Sequence, residues 1–543
     1  MDNLTLTSSL LANPLRVFYL DRMPVSFKEL LDNKGGLWAL LAPLGFLCCI
    51  ALVLRPRRNR VHGASVSGRR WWWEPDFILQ WRFIFNARDI INTGYRQFKD
   101  QPFVVRRHDV DITVMPNRYL TELRLFPTSK LSAVRAQVDN LGHKWTYTTV
   151  MTESNLHFRV IQNKLIAELP KYLELARTEL DYGWDIDVPH PEEWQRIDIQ
   201  GVMRMLVARM SAKVFMGSPA CRNEEWLKLS IDFSIDLFTA AFTLRMLPPW
   251  SHPVLAHLIP ARYRVKRGMK AAERIVGPLM DLHRVNGERR LSGEDIEEED
   301  TLLNWMIDHG DENENRVASM SHRQIILSLA SIHTTSMMVS NMIFDLCAYP
   351  EWFPVLREEI SELRDELGPI GTSCETGVKG WLPRLEKLDS FFVESQRINP
   401  PILLAPQRVS LVPLTLKDGT HIPAGTRLSW ANHNHLNDPS VTSNPHHFDP
   451  MRNYRQRHSS QEEMQKHMAG QVSLDNLSFG YGKLACPGRA FSVGEIKLIL
   501  CRLLHEFEFE FPNGESRRPN MYADENVFPD PNAHIMMRKR KGL

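Results

Sequence analysis

The chain has 543 residues, 43% hydrophobic and 24% charged, with a formal net charge of +2. This is the composition of a globular protein, and the near-neutral balance gives no reason to expect a nucleic-acid partner. Its seven cysteines (Cys48, Cys49, Cys221, Cys347, Cys374, Cys486 and Cys501) form no CxxC pair and no disulfide-like spacing, as in a reduced, cytosol-facing domain.

In chain order, the first strong signal is Leu37 to Leu54, 18 consecutive uncharged residues and long enough to span a bilayer. Arg55, Arg57, Arg58 and Arg60 follow at once, whereas the basic residues before the span are dispersed among acids. The positive-inside rule then puts the first 36 residues in the lumen and the rest in the cytosol. The apolar stretch begins too far from Met1, and lacks the small-residue site, for a cleaved signal peptide. Asn3-Leu4-Thr5 is an N-glycosylation acceptor in the luminal tail, while Asn476-Leu477-Ser478 would face the cytosol. The expected organisation is a luminal tail (1–36), a transmembrane helix (37–54), a basic, polar linker (55–69) and a cytosolic domain (70–543). Arg69-Arg70-Trp71-Trp72-Trp73 suits either the headgroup layer or a packed aromatic cluster.

Within the domain, Phe103-Val104-Val105 and Ile112-Thr113-Val114 predict a small early sheet. Helical patterns dominate from about Ser154 to Leu282. There His157, Arg159 and Lys164 read either as anion-binding partners or as a solvated basic face. Glu294 to Asp300 holds six acids in seven residues and reads as an exposed loop. From His322 to Tyr349 the chain carries about 28 residues without Gly or Pro, apolar on nearly every face, which predicts a helix buried through a large domain. Its centre is Ala330-Ser331-Ile332-His333-Thr334-Thr335. A mid-helix Thr can bond a carbonyl one turn back and leave a small polar notch. His333 is either a proton relay, since His titrates near neutrality, or a hydrogen-bonded core histidine.

Glu394 and Arg397 then share one face of a helix at i, i+3, directly before Asn399-Pro400-Pro401. Arg408 to Leu428 alternates around Asp418-Gly419 and reads as a hairpin. Phe448-Asp449-Pro450-Met451-Arg452 follows. Phe479-Gly480-Tyr481-Gly482-Lys483-Leu484-Ala485-Cys486-Pro487-Gly488-Arg489 is a Gly-rich loop presenting one sulfur at the mouth of an apolar helix. Backbone N–H groups and the positive helix end there favour a thiolate. A lone thiolate so placed is what haem iron needs when bound oxygen is to be split. The basic run Arg538-Lys539-Arg540-Lys541 reads as a solvated end.

This last loop resembles the haem-ligand loop of the cytochrome P450 family, and Cys486 matches the axial ligand to the haem iron. Glu394-Ser395-Gln396-Arg397 with Arg452 is similar to the family's structural Glu–Arg–Arg network, and Arg408 falls where a propionate-binding Arg is common, its alternative being a strand-edge charge. Phe479 and Gly480 belong to the cofactor-binding loop, and Thr334, with His333, matches the oxygen-side helix. The pattern departs from the family at Leu484, where Arg or His is usual, with Lys483 beside it. It departs also at Ser331 and His333, which replace Gly and a carboxylate. Overall the chain is similar to fungal secondary-metabolism members, including those related to ent-kaurene oxidase.

The resemblance implies a mainly α fold with small β-sheets on a single-pass anchor in the endoplasmic reticulum membrane, binding haem b. It implies a monooxygenase that inserts oxygen from O2 into a lipophilic terpenoid, meroterpenoid or related metabolite. With no Gly-x-Gly-x-x-Gly helix entry and no room for a flavin domain, electrons would come from NADPH through a separate membrane-bound NADPH–cytochrome P450 reductase, with cytochrome b5 as a further partner. An O2-independent rearrangement and a non-catalytic haem sensor or carrier are the alternatives. Leu329, Ile332, Ile402, Leu403 and Leu404 suggest an apolar substrate lining. His433, His435, His446 and His447 lie in a Pro/Asn-rich stretch and lack the fixed helical spacing of a metal site.

Overall fold

The computed structural model describes residues 59–370 and 377–542. The luminal tail with Asn3, the span 37–54 and the first part of the linker lie outside the described residues. Among the described residues, no helix is long and apolar enough to cross a membrane.

The longer helices are α1 (Asp76–Gln97), α2 (Leu169–Asp187), α3 (Ile199–Met216), α4 (Glu224–Met246), α5 (Pro260–Leu291), α6 (Val317–Ala348), α7 (Trp352–Leu367), α8 (Glu386–Ile398) and α9 (Arg489–Glu506). They are joined by short strands, so the fold is mainly α. A six-stranded sheet runs in the order β1 (Ser65–Val66), β2 (Phe103–Arg106), β3 (Asp111–Val114), β9 (Arg427–Ser429), β6 (Gln407–Ser410) and β4 (Leu131–Ser132). The early β-rich pieces are thus β2 and β3, an antiparallel pair with Val104 opposite Thr113. Around Asp418-Gly419 the chain forms a small antiparallel hairpin, β7 (Leu414–Thr415) with β8 (His421–Ile422). Two further sheets join β10 (Phe507–Glu510) to β13 (Ile535–Lys539) and β5 (Gln195–Ile197), and pair β11 (Met521–Ala523) with β12 (Asn526–Phe528).

The long Gly- and Pro-free segment is α6. Apolar residues on all its sides, among them Ile325, Ile332, Val339, Met342, Ile343 and Leu346, are buried, so the helix needs neighbours all round. Helices α2, α3, α8 and α9 share its core cluster. Pro350 cannot continue the helix, and the Tyr349 N–H closes it on the Asp345 carbonyl at 2.9 Å.

Several expectations are corrected. Leu329, Ile332, Leu403 and Leu404 are packed into the hydrophobic core rather than accessible to a ligand, leaving Ile402 half-buried. The acidic run is the exposed loop expected of it, with Glu294, Asp295, Glu297 and Glu299 exposed, and its second half makes ion pairs: Glu298 with His283 (2.9 Å) and Arg290 (2.9 Å), Glu299 with Lys213 (2.6 Å), and Asp300 with Lys164 (2.7 Å) and also Lys171. The basic end is not a loose tail, because Arg538 and Lys539 lie in β13 and pair with Glu508 and Glu192 at 2.7 and 2.8 Å. Trp72 and Trp73 are 88% and 62% exposed, so the tryptophans make no packed core cluster. Phe77, Trp81 and Phe85 extend this apolar surface one turn apart along α1.

Candidate functional site

The Cys486 loop is built by backbone geometry. Gly480 sits at φ +85°, and a Cβ there would also press to 3.2 Å from the Ala485 Cα, so two separate constraints select glycine. The loop closes where the Cys486 N–H donates to the Phe479 carbonyl at 2.7 Å and the Gly480 N–H to the Leu477 carbonyl at 2.8 Å. Phe479 anchors it by stacking on Phe392 of α8, ring centroids 6.4 Å apart.

Cys486 is accessible at its surface yet ringed by protein, so a ligand can reach the sulfur although it feels burial. Burial pushes its thiol up, while N–H bonds from Gly488 and Arg489 and the Arg489 charge favour the thiolate. Both donors belong to the start of α9, where unsatisfied N–H groups and the helix dipole act together. Such a sulfur is poised to release its proton to solvent when it coordinates a metal cation.

Thr334 lies in the middle of α6 and donates from Oγ1 to the Ala330 carbonyl at 2.9 Å. Ala330 and Thr334, one turn apart, are exposed, while Leu329, Ile332 and Thr335 beside them are buried. His333 leaves in another direction: it bonds the backbone of Ile231 on α4, and burial holds its pKa down to about 4. The residue is half-buried, and its Nε2 has no hydrogen-bond partner among the described residues.

Arg408 is not an edge charge. It lies on β6, between β9 and β4, opposite Leu428, and is 7% exposed. Its guanidinium meets the carbonyls of Gln407 (2.8 Å) and Leu484 (3.4 Å), but no carboxylate among the described residues. Burial alone lowers its pKa to about 10, so it remains a buried cation without an anion. The small hollow beside it is lined also by Arg124, Lys483, Trp430, Tyr481 and Leu484, and no acid borders it. An unanswered buried Arg next to an accessible cysteine fits a planar cofactor that carries carboxylates and binds sulfur through its metal. By contrast, Arg159 pairs with Glu314 at 2.8 Å and Lys164 with Glu168 at 2.8 Å, so neither is free for an anion. His157 is buried, and burial with nearby Arg323 lowers its pKa to about 4.

Behind the loop, Arg397 grips Glu394 with two bonds of 2.6 and 2.8 Å, and Arg452 Nε approaches the same carboxylate at 3.5 Å. The Asp449 N–H also donates to Glu394 at 2.9 Å. Sequence reasoning missed Asn437, which accepts from Arg397 at 2.5 Å, and the Pro445 carbonyl, which accepts at 2.9 Å. No spacing rule points to partners 40 and more residues away. His433 faces the Arg397 carbonyl at 3.2 Å, and among the described residues no cluster of three or more His, Cys, Asp or Glu side chains could hold a metal ion.

The Cytochrome P450 family model matches residues 172–537. The chain is 40% identical to the cytochrome P450 monooxygenase sdnB of Sordaria araneosa, over 89% of each chain. It is 35% identical to the ent-kaurene oxidase of Fusarium fujikuroi, over 96% of this chain and 95% of the relative. The solved structure of retinoic acid-bound cyanobacterial CYP120A1 superimposes with a TM-score of 0.62 at 16% identity, covering 89% of this chain and all of that one.

Proposed function

The chain belongs to the cytochrome P450 family and is a monooxygenase, and from that premise we propose that it oxidises a lipophilic terpenoid, meroterpenoid or related metabolite in fungal secondary metabolism. The substrate class leans on relatives, one of them an ent-kaurene oxidase. The observation that carries the reading is Cys486, presented by a closed loop with two N–H donors aimed at its sulfur.

In this reading Cys486 is the axial ligand, Arg408 takes a propionate, and Phe479 and Gly480 shape the loop. Glu394, Arg397 and Arg452 are structural and hold the chain behind it. When bound, haem b supplies the reduction of O2 and the insertion of one of its atoms into a C–H bond. Electrons come from NADPH through a membrane-bound NADPH–cytochrome P450 reductase, with cytochrome b5 as a second donor. Thr334 holds a proton at Oγ1, parked on the Ala330 carbonyl and free to turn toward a reacting oxygen.

The carbon-monoxide difference spectrum of dithionite-reduced membranes tests the ligand. A strongly red-shifted Soret band is expected, and haem-loaded protein without it would overturn the reading. Product formation that needs neither NADPH nor reductase would instead favour a rearrangement. Thr334→Ala should divert NADPH electrons into hydrogen peroxide and lower product per NADPH by about 10²-fold, the scale of a lost positioned proton donor. Unchanged coupling would remove Thr334 from proton delivery.

We place the chain in the endoplasmic reticulum membrane, with residues 1–36 luminal and open to glycosylation at Asn3, 37–54 spanning, 55–69 linking and 70–543 cytosolic. The exposed aromatics Trp72, Trp73, Phe77, Trp81 and Phe85 support a second bilayer contact. Lipids brominated near the headgroup should quench tryptophan fluorescence of the full chain in vesicles, and Trp72→Ser with Trp73→Ser should lose part of it, Trp38 and Trp81 supplying the rest. Quenching undiminished in the double variant would rule this contact out.

A further inference from the structure

The reading above makes no use of Glu495, the most isolated acid among the described residues. It lies on α9, nine residues after Cys486, and is fully buried. No Lys, Arg or His pairs with it among the described residues. Its single partner is the Ser211 hydroxyl, 3.3 Å from Oε1, while Oε2 has none. An isolated carboxylate is too costly to bury without a cation, so the group sheds its charge by binding a proton. Burial accordingly pushes the Glu495 carboxyl well above the usual carboxylate range.

The hydroxyl it touches leads to the oxygen-side helix. Ser211, on α3, is itself fully buried and lies 2.8 Å from the Ser331 Oγ on α6. Three helices therefore meet through Glu495, Ser211 and Ser331. One turn further on, α6 is joined directly to α9, where the Thr335 hydroxyl meets that of Ser492 at 2.8 Å. Ser492 and Glu495 are three apart on α9, and Ser331 and Thr335 four apart on α6, so each pair shares one helix face. The turn of α6 that carries Thr334 is thus fastened on both sides, at 331 and at 335. Thr334 is the hydroxyl left accessible between them.

We propose that Glu495 is a positioning residue: with Ser211 it clamps Ser331, and so fixes the turn of α6 that presents Thr334 to the reacting oxygen. The acid acts in its neutral form, its Oε1 accepting from the Ser211 hydroxyl while Ser211 accepts from Ser331. A Gly at 331, the residue expected from the family pattern, would have no hydroxyl to clamp. The acid–serine–serine chain therefore gives this protein a rigidity that a Gly-containing helix must find elsewhere. Preorganisation of this kind counts because small displacements of a catalytic group cost large factors in rate.

The inference rests on the haem-thiolate reading, and one infrared experiment on the full-length, haem-loaded protein separates the two. A protonated carboxylic acid shows a carbonyl stretch clear of the amide bands, and carbon monoxide bound to the reduced protein shows a stretch sensitive to polar groups at the notch. Wild type should show the acid band, and Glu495→Gln should lose it. Ser211→Ala and Ser331→Ala should each shift the bound carbon-monoxide band, and the double variant should shift it no further than either single one. The half-buried Ser331 keeps the test usable should Ser211→Ala fold poorly. Absence of the acid band in wild type, or a carbon-monoxide band unmoved in both serine variants, would overturn the proposal. A missing red-shifted Soret band would instead overturn the thiolate reading and leave the acid band unaffected.

Discussion

Replacing Cys486 by Ser is expected to yield a folded chain that lacks the red-shifted carbon-monoxide band and has no measurable monooxygenase activity. The loop that carries the residue is closed by backbone bonds, from the Cys486 N–H to Phe479 and from Gly480 to Leu477, which a serine preserves. The fold should survive while the soft, electron-donating ligand is gone. Losing a partner of a metal ligand typically costs about 10–100-fold, and losing the ligand itself should exceed that. Thermal unfolding read beside the difference spectrum checks both halves. A variant that keeps the band, or one that fails to fold at all, would contradict this account of the loop.

The second large effect is expected at Arg397. Its guanidinium holds Glu394 through two bonds and also reaches Asn437 and the Pro445 carbonyl. Glu394 is fully buried, so Arg397→Leu leaves its carboxylate with the Asp449 N–H and, as its one remaining cation, the more distant Arg452. Breaking one side of a buried pair costs about 3–5 kcal/mol. That is a large part of the roughly 5–15 kcal/mol that keeps a domain folded. The variant should accumulate poorly, with little haem-loaded protein and a midpoint of unfolding several degrees lower. Arg397→Lys should rescue little, because an ammonium cannot hold a carboxylate with two parallel bonds and still serve two carbonyl acceptors. A wild-type melting curve for Arg397→Leu would show that the network is not structural.

Much of this architecture was legible because its signals are local. A stretch without Gly or Pro, apolar all round, has few alternatives to a buried helix, and α6 is one. A loop of glycines before Cys-Pro-Gly and an apolar run likewise specifies a turn feeding a helix. Glu394 and Arg397 are three residues apart, so their bidentate contact needs nothing distant. What stayed hidden depends on partners brought together by the fold. Ser331 and Glu495 lie 120 and 284 residues beyond Ser211 along the chain. Nothing near any of them marks it as part of a chain of hydroxyls. The acidic run 294–300 is the exposed loop its composition suggests, but composition cannot show that lysines on other segments pair with its end. The leucines beside Pro401 looked like a ligand lining because an apolar side chain reads the same whether it faces core or cavity.

The strand β13 has a consequence for how the molecule comes to be made. Its residues pair with Gln195–Ile197 on one side, and Arg107 near the start of the domain bonds Glu525 only a short distance upstream of it. During synthesis, β5 must therefore wait with an edge unpaired, and Arg107 without one of its acidic partners, until almost the whole polypeptide has left the ribosome. Contacts of such long sequence separation form late, and unpaired edges are sites of misassociation while they wait. The last few dozen codons thus decide whether β5 and the surroundings of Arg107 ever reach a finished structure. A frameshift or premature stop there would be as damaging as one placed through the cysteine loop, although it would spare every residue assigned to the chemistry.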